Sequence, residues 1–290
     1  YTGPLMPTGP EVVTIHDVSF EEYPEFFDPL MRLRLRLTVR RAVKTARRII
    51  TVSHFSKDAI VDLLRVSARK VKVIPNGVGP EFRPGQDAAA IQSCLHRYGI
   101  RRPYLLAVGD ICRRKNQLVL VQGFAQWAKR RQSNEHQLIL VGKEGSEGDE
   151  VLAEATRQGL GPERVLLTGY AADEDLPCLY AGAELLINAS LYEGFGLPLI
   201  EAMACGVPVV ASRASCFPEV AADAARYMDP ESPTSIADAI EDVLENGGLR
   251  QELVQKGLER AKSFRWEAAA RATLQVYQEA ADEAGTRAAR

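Results

Sequence analysis

The feature that most constrains the fold is a series of short, apolar, β-branched runs separated by helical patterns. Eight such runs occur, at residues 12–15, 49–52, 71–74, 105–108, 138–141, 165–167, 185–187 and 207–210. Strands that are buried on both faces of a parallel sheet need such near-continuous apolar sequence. The alternation of these runs with helices predicts an α/β protein with doubly wound parallel sheets. In that architecture, ligands bind outside the carboxyl ends of the strands.

A domain boundary is predicted just after the third run. A Pro-Asn-Gly turn at residues 75–77 begins a linker, because residues 78–85 contain two more prolines and two more glycines. We therefore predict three segments: a first domain at 1–79, a second domain at 80–264 and a terminal helix within 265–290.

The terminal helix carries an apolar stripe. Its members are spaced three or four residues apart, as on one face of a helix: Ala270, Leu274, Tyr277 and Ala281. We expect the helix to bury this stripe by packing back toward the first domain.

Only three of the apolar runs precede the linker. A doubly wound domain of this type needs about five or six strands. The sequence also begins with Tyr1 rather than Met. We therefore expect the first domain to be incomplete in this sequence, with about half of its strands missing.

Composition excludes several classes of protein. The 290 residues are 46% hydrophobic and 26% charged, which is typical of folded domains and not of disordered chains. No apolar run approaches the roughly 18 residues that cross a bilayer, and no signal-peptide pattern opens the sequence. The five cysteines form no C-x-x-C pair, which argues against a disulfide framework or a zinc knuckle. We therefore expect a cytoplasmic protein.

Charge is distributed unevenly, although the net charge is only −2. Residues 1–85 carry 14 basic and 9 acidic side chains, whereas the remaining residues carry 22 and 29. This balance does not favour nucleic acid as a partner. The run from Arg32 to Arg48 holds eight basic residues and no acid.

The basic run has a helical pattern with three interpretations. Five basic residues share an i, i+4 ridge, with Leu33, Leu37 and Val43 among the apolar positions: Arg32, Arg36, Arg40, Lys44 and Arg48. Such a helix can dock on anionic lipid headgroups, here at the inner face of a membrane. It is equally consistent with an ordinary solvated helix or with a wall of the active cleft.

The densest functional signal lies at residues 188–208. A buried strand leads into a loop that contains Gly194 and Gly196. Pro198 suits the first turn of a helix, and Gly206 suits the position just after its end. A helix N-terminus at the carboxyl end of a strand presents unpaired N–H groups and favours phosphate.

Two carboxylates bracket this anion site. Glu193 precedes the turn, and we place Glu201 in the first helical turn. A carboxylate does not favour phosphate but accepts strongly from hydroxyl groups. The pattern therefore describes a ligand with a sugar, a diphosphate and a ribose. Taken singly, Glu201 would be an acid near a helix N-terminus and Glu193 a solvated loop residue.

These residues resemble the E-x7-E signature of the retaining glycosyltransferases of family four. The signature here is EGFGLPLIE, from Glu193 to Glu201, and a family-like AMACGVPVV follows it. Further blocks agree in order, at residues 14–17, 50–53, 73–78, 108–116, 179–183 and 217–220. The resemblance covers nearly all of the chain. It implies the GT-B architecture, in which two Rossmann-like domains face a cleft and the second holds most of the nucleotide-sugar donor.

The resemblance implies roles for the loop and helix residues. Glu201 would bind the ribose hydroxyls, and Glu193 would bind the hydroxyls of the donor sugar. Backbone N–H groups of three residues would lie near the sugar and the diphosphate: Phe195, Gly196 and Leu197. His16 matches a histidine that approaches the reacting centre from the first domain, although a lone histidine is more often structural.

Arg114 and Lys115 match the basic pair of the family, in the loop that begins at Gly109. A fixed cation there lowers the barrier, because a departing nucleoside diphosphate accumulates negative charge. The alternative is a basic loop that only caps the following helix. Many relatives have Arg or Thr where this chain has Asp110. Two interpretations are open: either Arg113 supplies the charge that others provide earlier, or Asp110 weakens diphosphate binding.

Other motifs point elsewhere or are absent. The run Asp173-Glu174-Asp175 looks like a D-x-D metal motif, but its place before an apolar run is better explained as a helix cap. Neither G-x-G-x-x-G nor a P-loop sequence occurs, which argues against a nicotinamide dehydrogenase or a P-loop enzyme.

The resemblance thus implies a retaining, metal-independent hexosyltransferase with no cofactor beyond its donor substrate. The first donor guess is GDP-mannose, and the acceptor would be a glycan or a lipid-linked glycan. Two alternatives remain, a nucleotide-sugar epimerase of the same fold and a nucleotide-sugar-binding module whose first domain is too incomplete for transfer. For residues 1–290 alone we expect weak nucleotide binding, little or no transfer, and self-association.

Overall fold

The computed structural model describes residues 9–132, 135–145 and 147–288, with side chains up to residue 283 in the last helix. These residues form two compact units. The first unit comprises the described residues up to Gly77, the short segment Glu193–Phe195, and the chain from Phe264 onward. The second unit comprises Val78–Tyr192 and Gly196–Ser263.

The described residues form nine strands and twelve α-helices. The strands are β1 Val12–Thr14, β2 Arg48–Thr51, β3 Val71–Val73, β4 Tyr104–Val108, β5 Gln137–Val141, β6 Val165–Gly169, β7 Leu185–Asn188, β8 Val209–Ser212 and β9 Arg226–Met228. The helices are α1 Ser19–Glu22, α2 Pro29–Thr45, α3 His54–Leu64, α4 Ala88–Arg97, α5 Gln117–Arg131, α6 Gly148–Arg157, α7 Leu176–Gly182, α8 Leu197–Ala204, α9 Phe217–Ala221, α10 Pro233–Glu245, α11 Gly247–Ala261 and α12 Trp266–Ala288.

The first unit is built on a parallel sheet in the order β1-β2-β3. Successive side chains of a strand point to opposite faces, so the sheet presents two apolar surfaces. One surface, which includes Val13 and Ile49, packs against helices α2 and α3. The opposite surface, which includes Ile50, packs against Val276 of α12.

The second unit is built on a larger parallel sheet in the order β6-β5-β4-β7-β8-β9. The order reverses between β4 and β7, which is the doubly wound arrangement that the apolar runs predict. Its core joins sheet residues such as Leu105 and Ile187 to Phe124 of α5 and Ile240 of α10. The carboxyl ends of β4 and β7 therefore meet at the point where such sheets bind ligands.

The sequence did not predict β9. Its three residues, Arg226, Tyr227 and Met228, lack the continuous apolar character on which strand prediction depends. As the edge strand of the sheet it pairs only with β8, so its side chains need not be apolar on both faces.

The prediction that the last helix buries the stripe of Ala270, Leu274, Tyr277 and Ala281 is wrong. Leu274 is 56% exposed and Tyr277 is 51% exposed, and Ala270 and Ala281 also face solvent. The helix instead buries a neighbouring stripe of smaller residues: Ala269, Ala272, Val276 and Ala280.

Ion pairs explain this choice of face. Glu279 and Glu283 of α12 pair with Arg48, and Glu279 also lies 3.5 Å from Lys72. Small side chains also let the helix approach the sheet closely. Both effects favour the stripe of Val276 over the stripe of Leu274.

The predicted basic ridge from Arg32 to Arg48 is also corrected. Arg48 lies in β2 and not on α2. From β2 its side chain pairs with Glu283 of the last helix. Arg36 and Arg40 both bind Glu21, and Nε of Arg32 donates to the carbonyl oxygen of Phe20 at 2.9 Å. Most of the ridge is therefore engaged within the first unit.

Candidate functional site

Two loops follow the central strands of the second unit at their carboxyl ends. After β4 the chain forms a turn of 3-10 helix at Arg113–Lys115 and enters α5. After β7 it passes through Glu193 and Gly194 and enters α8. Because the strand order reverses between β4 and β7, both loops start at the ligand-binding edge of the sheet.

The side chain of Lys115 lies directly over the backbone of Gly109. A Cβ atom at Gly109 would be 2.7 Å from Nζ of Lys115, and the φ of Gly109 is +141°. A side chain at residue 109 would be strained at this φ and would displace the end of the Lys115 side chain. Gly142, just after β5, packs against the backbone of Gly109. A Cβ atom at residue 142 would be 2.2 Å from the carbonyl oxygen of Gly109. Glycine at residue 109 thus lets the side chain of Lys115 lie against the backbone.

Arg114 joins the two loops. Its guanidinium donates to the carbonyl oxygen of Tyr192 at 2.8 Å, and its own carbonyl oxygen accepts from the N–H of Leu191 at 2.9 Å. Arg114 therefore holds the chain immediately before Glu193. This is a positioning role that the sequence did not predict.

Arg113 and Asp110 have partners at the rim of the same loop. Nε of Arg113 donates to Glu147 at 3.0 Å, while 65% of the Arg113 side chain stays exposed. The carboxylate of Asp110 accepts from the N–H of Lys143 at 3.2 Å. Asp110, which is unusual at this position, thus accepts a backbone hydrogen bond from the loop that follows β5.

Glu201 is a half-buried carboxylate in the second turn of α8, one turn later than predicted. The hydroxyl of Tyr180 donates to its Oε2 at 2.7 Å. Its Oε1 has no hydrogen-bond partner among the residues that the structure describes. One oxygen is therefore fixed by the protein and the other is available to a ligand hydroxyl.

The surroundings of Glu201 raise the pKa of its carboxyl overall, although some of them act in the opposite direction. Burial raises the pKa of this carboxyl above its ordinary value, and the negative charges of Glu81 and Asp173 raise it further. The hydrogen bond from Tyr180 and the positive charge of Lys115 lower the pKa. Lys115 therefore helps to keep Glu201 ionised, which links the two predicted donor-binding residues electrostatically.

The N-terminus of α8 has the predicted geometry. Gly196 is the N-cap with a φ of +98°, and a Cβ there would be 2.7 Å from the ring of Phe217. Pro198 lies in the first turn, and Gly206, with a φ of +74°, follows the helix end. Pro198 has no N–H, and the N–H of Leu199 donates to the carbonyl oxygen of Gly196 at 3.0 Å, whereas the N–H of Leu197 has no acceptor within the helix itself.

The segment Glu193–Phe195 packs with the first unit. The carbonyl oxygen of Gly194 accepts from Oγ of Ser53 at 2.7 Å and from Oγ of Ser56 at 3.2 Å. A Cβ atom at Gly194 would be 2.5 Å from the carbonyl oxygen of His16. The glycine is thus required by close backbone approach.

His16 and Phe195 complete this group. The side chain of His16 is exposed at the carboxyl end of β1, and its backbone contacts Gly194. The ring of Phe195 is buried edge-on against Phe264, with ring centroids 5.5 Å apart. The structure therefore brings His16, Gly194 and Phe195 together, whereas Gly109, Lys115 and Glu201 belong to the second unit.

Three residues with clear roles were missed by sequence reasoning. Tyr180 stands on another helix, and no spacing rule connects it to Glu201. Ser53 and Ser56 show the pattern of a helix cap, and Ser53 does cap α3 by accepting from the N–H of Ser56. Their second bond, to Gly194, joins segments that are far apart in sequence, so it leaves no local signal.

The acidic run at 173–175 acts differently from the predicted helix cap. Asp173 accepts from the hydroxyl of Tyr170 at 2.9 Å. Asp175 stands at the N-cap of α7, but its carboxylate binds Arg97 and the hydroxyl of Tyr98. Among the described residues, no group of His, Cys, Asp and Glu is arranged to hold a metal ion. No helix in the described ranges is long and apolar enough to cross a membrane.

Two protein-family models match the chain. The model described as glycosyl transferases group 1 matches residues 98–260, and the model described as glycosyltransferase family 4 matches residues 6–82. The first match includes the basic turn and the glycine loop. The second includes His16.

Named relatives agree with these matches. O-antigen chain mannosyltransferase B of Escherichia coli is 34% identical over 268 residues, which cover 92% of this chain and 69% of that protein. O-antigen chain mannosyltransferase RfbU of Salmonella typhimurium is 28% identical, over 80% of this chain and 60% of that protein. The chain thus spans about two thirds of the length of these two relatives.

Solved structures share the fold. The crystal structure of Anabaena HepE in complex with UDP and glucose superimposes with a TM-score of 0.79 at 25% identity. The alignment covers 93% of this chain and 72% of HepE. The likeness extends across both units, since it covers nearly all of the chain.

Proposed function

Because the chain belongs to the glycosyltransferases of group 1 and family 4, which have the GT-B fold, we propose that it transfers a hexose from a nucleotide diphosphate sugar to an acceptor hydroxyl, with retention at the anomeric carbon. The observation that carries the proposal is the presence in one unit of Lys115, which lies against Gly109, and of Glu201, of which only Oε2 is hydrogen-bonded among the described residues.

Glu201 is the proposed ribose acceptor. Tyr180 holds Oε2, so Oε1 accepts from a ribose hydroxyl. A hydrogen bond to a charged acceptor contributes about 1.5 to 3 kcal/mol. Since the ribose is common to all nucleotide donors, this contact serves affinity without selecting the sugar.

Lys115 and Arg113 are the proposed diphosphate cations, together with the N-terminus of α8. The charge on the leaving diphosphate is largest when the glycosidic bond breaks, so a fixed ammonium group stabilises the transition state more than the ground state. Gly109 contributes by admitting Lys115, and the N–H groups of Gly196 and Leu197 offer further donors to the diphosphate.

Glu193, Phe195 and His16 are the proposed contacts of the donor sugar and reacting centre. In the transfer step the bond between C1 and the phosphate oxygen breaks, and the acceptor oxygen bonds to C1. The acceptor proton passes to the departing phosphate oxygen on the same face of the sugar. The donor thereby supplies the base, and the protein orients both partners.

Mannose is the sugar that the relatives favour. The two curated relatives described above are both named O-antigen chain mannosyltransferases. We therefore propose GDP-mannose as the donor and a growing glycan, free or lipid-linked, as the acceptor. We further propose that the reaction needs no metal ion, with Lys115 and Arg113 in the place of a divalent cation at the diphosphate.

The experiment is a donor panel with product analysis. Calorimetry with GDP, UDP, GDP-mannose and UDP-glucose measures binding, and release of nucleoside diphosphate with and without EDTA measures turnover. NMR of the product reports the anomeric configuration. Release from GDP-mannose that EDTA leaves unchanged, with an α-linked product, is expected.

Three other results would contradict parts of the proposal. Sugar nucleotide converted to its epimer without acceptor would identify an epimerase. Donor binding with no turnover of any donor would identify a binding module. Loss of turnover in EDTA that Mg²⁺ restores would contradict metal independence.

A further inference from the structure

A large cavity lies in the first unit, at the opposite edge of the sheet from His16. Its volume is about 800 Å³, which is within the size range of pockets that bind small molecules. The chain enters β2 at Arg48 and β3 at Val71, and parallel strands begin at the same edge of a sheet. At this edge the cavity is lined by the end of α2, by the 3-10 turn Ala68–Lys70 and by α12.

Basic side chains dominate the wall of this cavity. Five basic residues and two acids line it: Lys44, Arg47, Arg48, Arg69 and Lys70, with Asp282 and Glu283. Arg48 pairs with Glu283. Nζ of Lys70 donates to the carbonyl oxygen of Val43. The side chains of the other three basic residues have no acidic partner in the part of the chain that the structure describes: Lys44, Arg47 and Arg69. The cavity therefore carries positive charge that the protein does not neutralise.

Lys70 shows that the wall of the cavity is partly dehydrated. Burial lowers the pKa of this side chain below its ordinary value, although the carboxylate of Glu11 acts in the opposite direction. A pKa lowered by burial means that the charged ammonium group is poorly hydrated. An anion in the cavity would replace the hydration that the charge has lost, and would attract the basic side chains beside it.

The two kinds of charge lie on different elements of the wall. The cations belong to the end of α2, the start of β2 and the 3-10 turn, whereas both acids belong to α12. Guanidinium groups bind phosphate oxygens, while a carboxylate repels phosphate and accepts strongly from hydroxyl groups. None of the described residues that line the cavity is aromatic, so a nucleobase would have no ring to stack on. This wall suits a ligand with phosphate on one side and hydroxyl groups on the other.

We propose that the cavity binds a soluble phosphorylated sugar, with phosphate at Arg47 and Arg69 and sugar hydroxyls at Asp282. The concave shape favours a small molecule over a flat surface such as a bilayer. The proposal does not depend on the donor chemistry, because none of the residues that line the cavity belongs to the candidate site.

The test is calorimetry of the full chain with fructose 1,6-bisphosphate. Fructose and inorganic phosphate are the control ligands, at the same ionic strength. We expect the bisphosphate to bind about ten-fold more tightly than either control, or better, because each additional charged hydrogen bond contributes about that factor. If the bisphosphate binds no more tightly than inorganic phosphate, the proposal is overturned.

A double variant tests the phosphate side of the cavity. Arg47→Gln with Arg69→Gln should lower the affinity for fructose 1,6-bisphosphate by about ten-fold for each charge removed. The matched control is Arg265→Gln with Arg271→Gln, which removes two exposed arginines elsewhere in the first unit and should leave the affinity unchanged. Equal affinities of the parent chain and the cavity variant would overturn the proposal.

A single variant tests the sugar side. Asp282→Asn removes the negative charge that accepts from the hydroxyls, so it should weaken binding of fructose 1,6-bisphosphate by a few-fold. It should not weaken binding of pyrophosphate, which has no sugar hydroxyls, since it removes a charge that repels phosphate. Equal weakening for the two ligands, or tighter binding of pyrophosphate than of the bisphosphate by the parent chain, would overturn the assignment to a sugar.

Other binding places are tested on the same samples. Lys115→Ala, in the candidate site, should bind the bisphosphate as the parent chain does, and a loss confined to that variant would overturn the proposal. So would binding of phosphatidylglycerol vesicles that requires Arg47 and Arg69 in a chain that binds no bisphosphate. The substituted positions of the cavity are at least partly exposed, so its variants should keep the melting temperature of the parent chain. The bisphosphate should raise that temperature in the parent chain more than in the double variant.

Discussion

The two units hold their candidate site residues in different ways. In the second unit each side chain has a dedicated support, namely Gly109 under Lys115 and Tyr180 on Glu201. In the first unit the support is given to the backbone, since two serine hydroxyls bind the carbonyl oxygen of Gly194. Nucleotides share a ribose and a diphosphate, which suit fixed side chains. Sugars differ in their hydroxyls, and in this loop it is the backbone of Gly194 that the serine hydroxyls hold.

The largest effect is expected for Lys115→Ala. Losing one preorganised electrostatic contact typically lowers the rate by about 10² to 10³, and the loss should appear in kcat more than in KM. Steady-state release of nucleoside diphosphate measures both constants. Lys129→Ala, at an exposed position of α5, is the matched control. An unaltered kcat would assign the diphosphate to another cation.

Glu201→Gln should weaken binding of every nucleotide, whether or not a sugar is attached. A lost charged hydrogen bond corresponds to about ten- to 150-fold in affinity. Gln keeps the size of the side chain and can still accept from Tyr180, so the fold should be unaffected. Calorimetry with GDP and UDP checks this, with the exposed Glu231→Gln as control. Unchanged affinity for both nucleotides would remove the ribose role.

Glu193→Gln should weaken binding of the sugar part of the donor without weakening binding of its nucleotide part. Free nucleoside diphosphate should bind as in the parent chain, whereas the intact sugar nucleotide should bind about ten-fold more weakly, since one charged hydrogen bond is lost. Paired calorimetric titrations measure the difference. Equal losses for the two ligands would contradict the assignment of Glu193 to the sugar.

Acidification should weaken nucleotide binding through Glu201. Burial raises the pKa of this carboxyl, so it gains a proton at a higher pH than an ordinary glutamate and loses its strength as an acceptor. Affinity should therefore fall several-fold between neutral pH and about pH 5. Lys115→Met should move the fall to higher pH, because the positive charge of Lys115 lowers the pKa. Glu201→Gln corrects for titration of the nucleotide phosphates, and an identical pH profile in that variant would contradict the assignment.

The smallest effect is expected for Ser56→Ala. This change removes one of the two hydroxyls that bind Gly194 and leaves the cap of α3, which uses Oγ of Ser53, in place. A neutral hydrogen bond contributes about 0.5 to 1.5 kcal/mol, so KM for the sugar donor should rise a few-fold. Binding of free nucleotide should not change. Ser67→Ala, at an exposed serine, is the control, and a loss of free-nucleotide affinity would contradict the backbone-support model.

Local patterns predicted the parts of the molecule that depend on local sequence. The apolar runs located eight of the nine strands, and the glycines and Pro198 located the start and end of α8. The errors concern contacts between distant segments. Glu21 binds Arg36 and Arg40 from another helix, and Tyr180 reaches Glu201 from another. The spacing of residues along the sequence does not predict such pairs.

The last helix shows a second limit. Its sequence carries two apolar stripes offset by one or two residues, through Val276 and through Leu274, and hydropathy alone favours the larger side chains. The sheet surface and the acids Glu279 and Glu283 select the other stripe. The face that a helix buries depends on the surface it packs against, here the sheet of the first unit. The sequence pattern of the helix contains no information about that surface.

Gly142 has no side chain that could bind a ligand, but its close contact with Gly109 means that a substitution at residue 142 would alter the backbone at residue 109. It has no side chain, yet any Cβ placed on it would push the carbonyl of Gly109 and with it the seat of the ammonium group. The ends of β4 and β5 therefore behave as one rigid part. A library that randomises only proposed ligand-contacting positions would miss residue 142, although a single methyl group there would displace the backbone of Gly109, on which Lys115 of the candidate site lies.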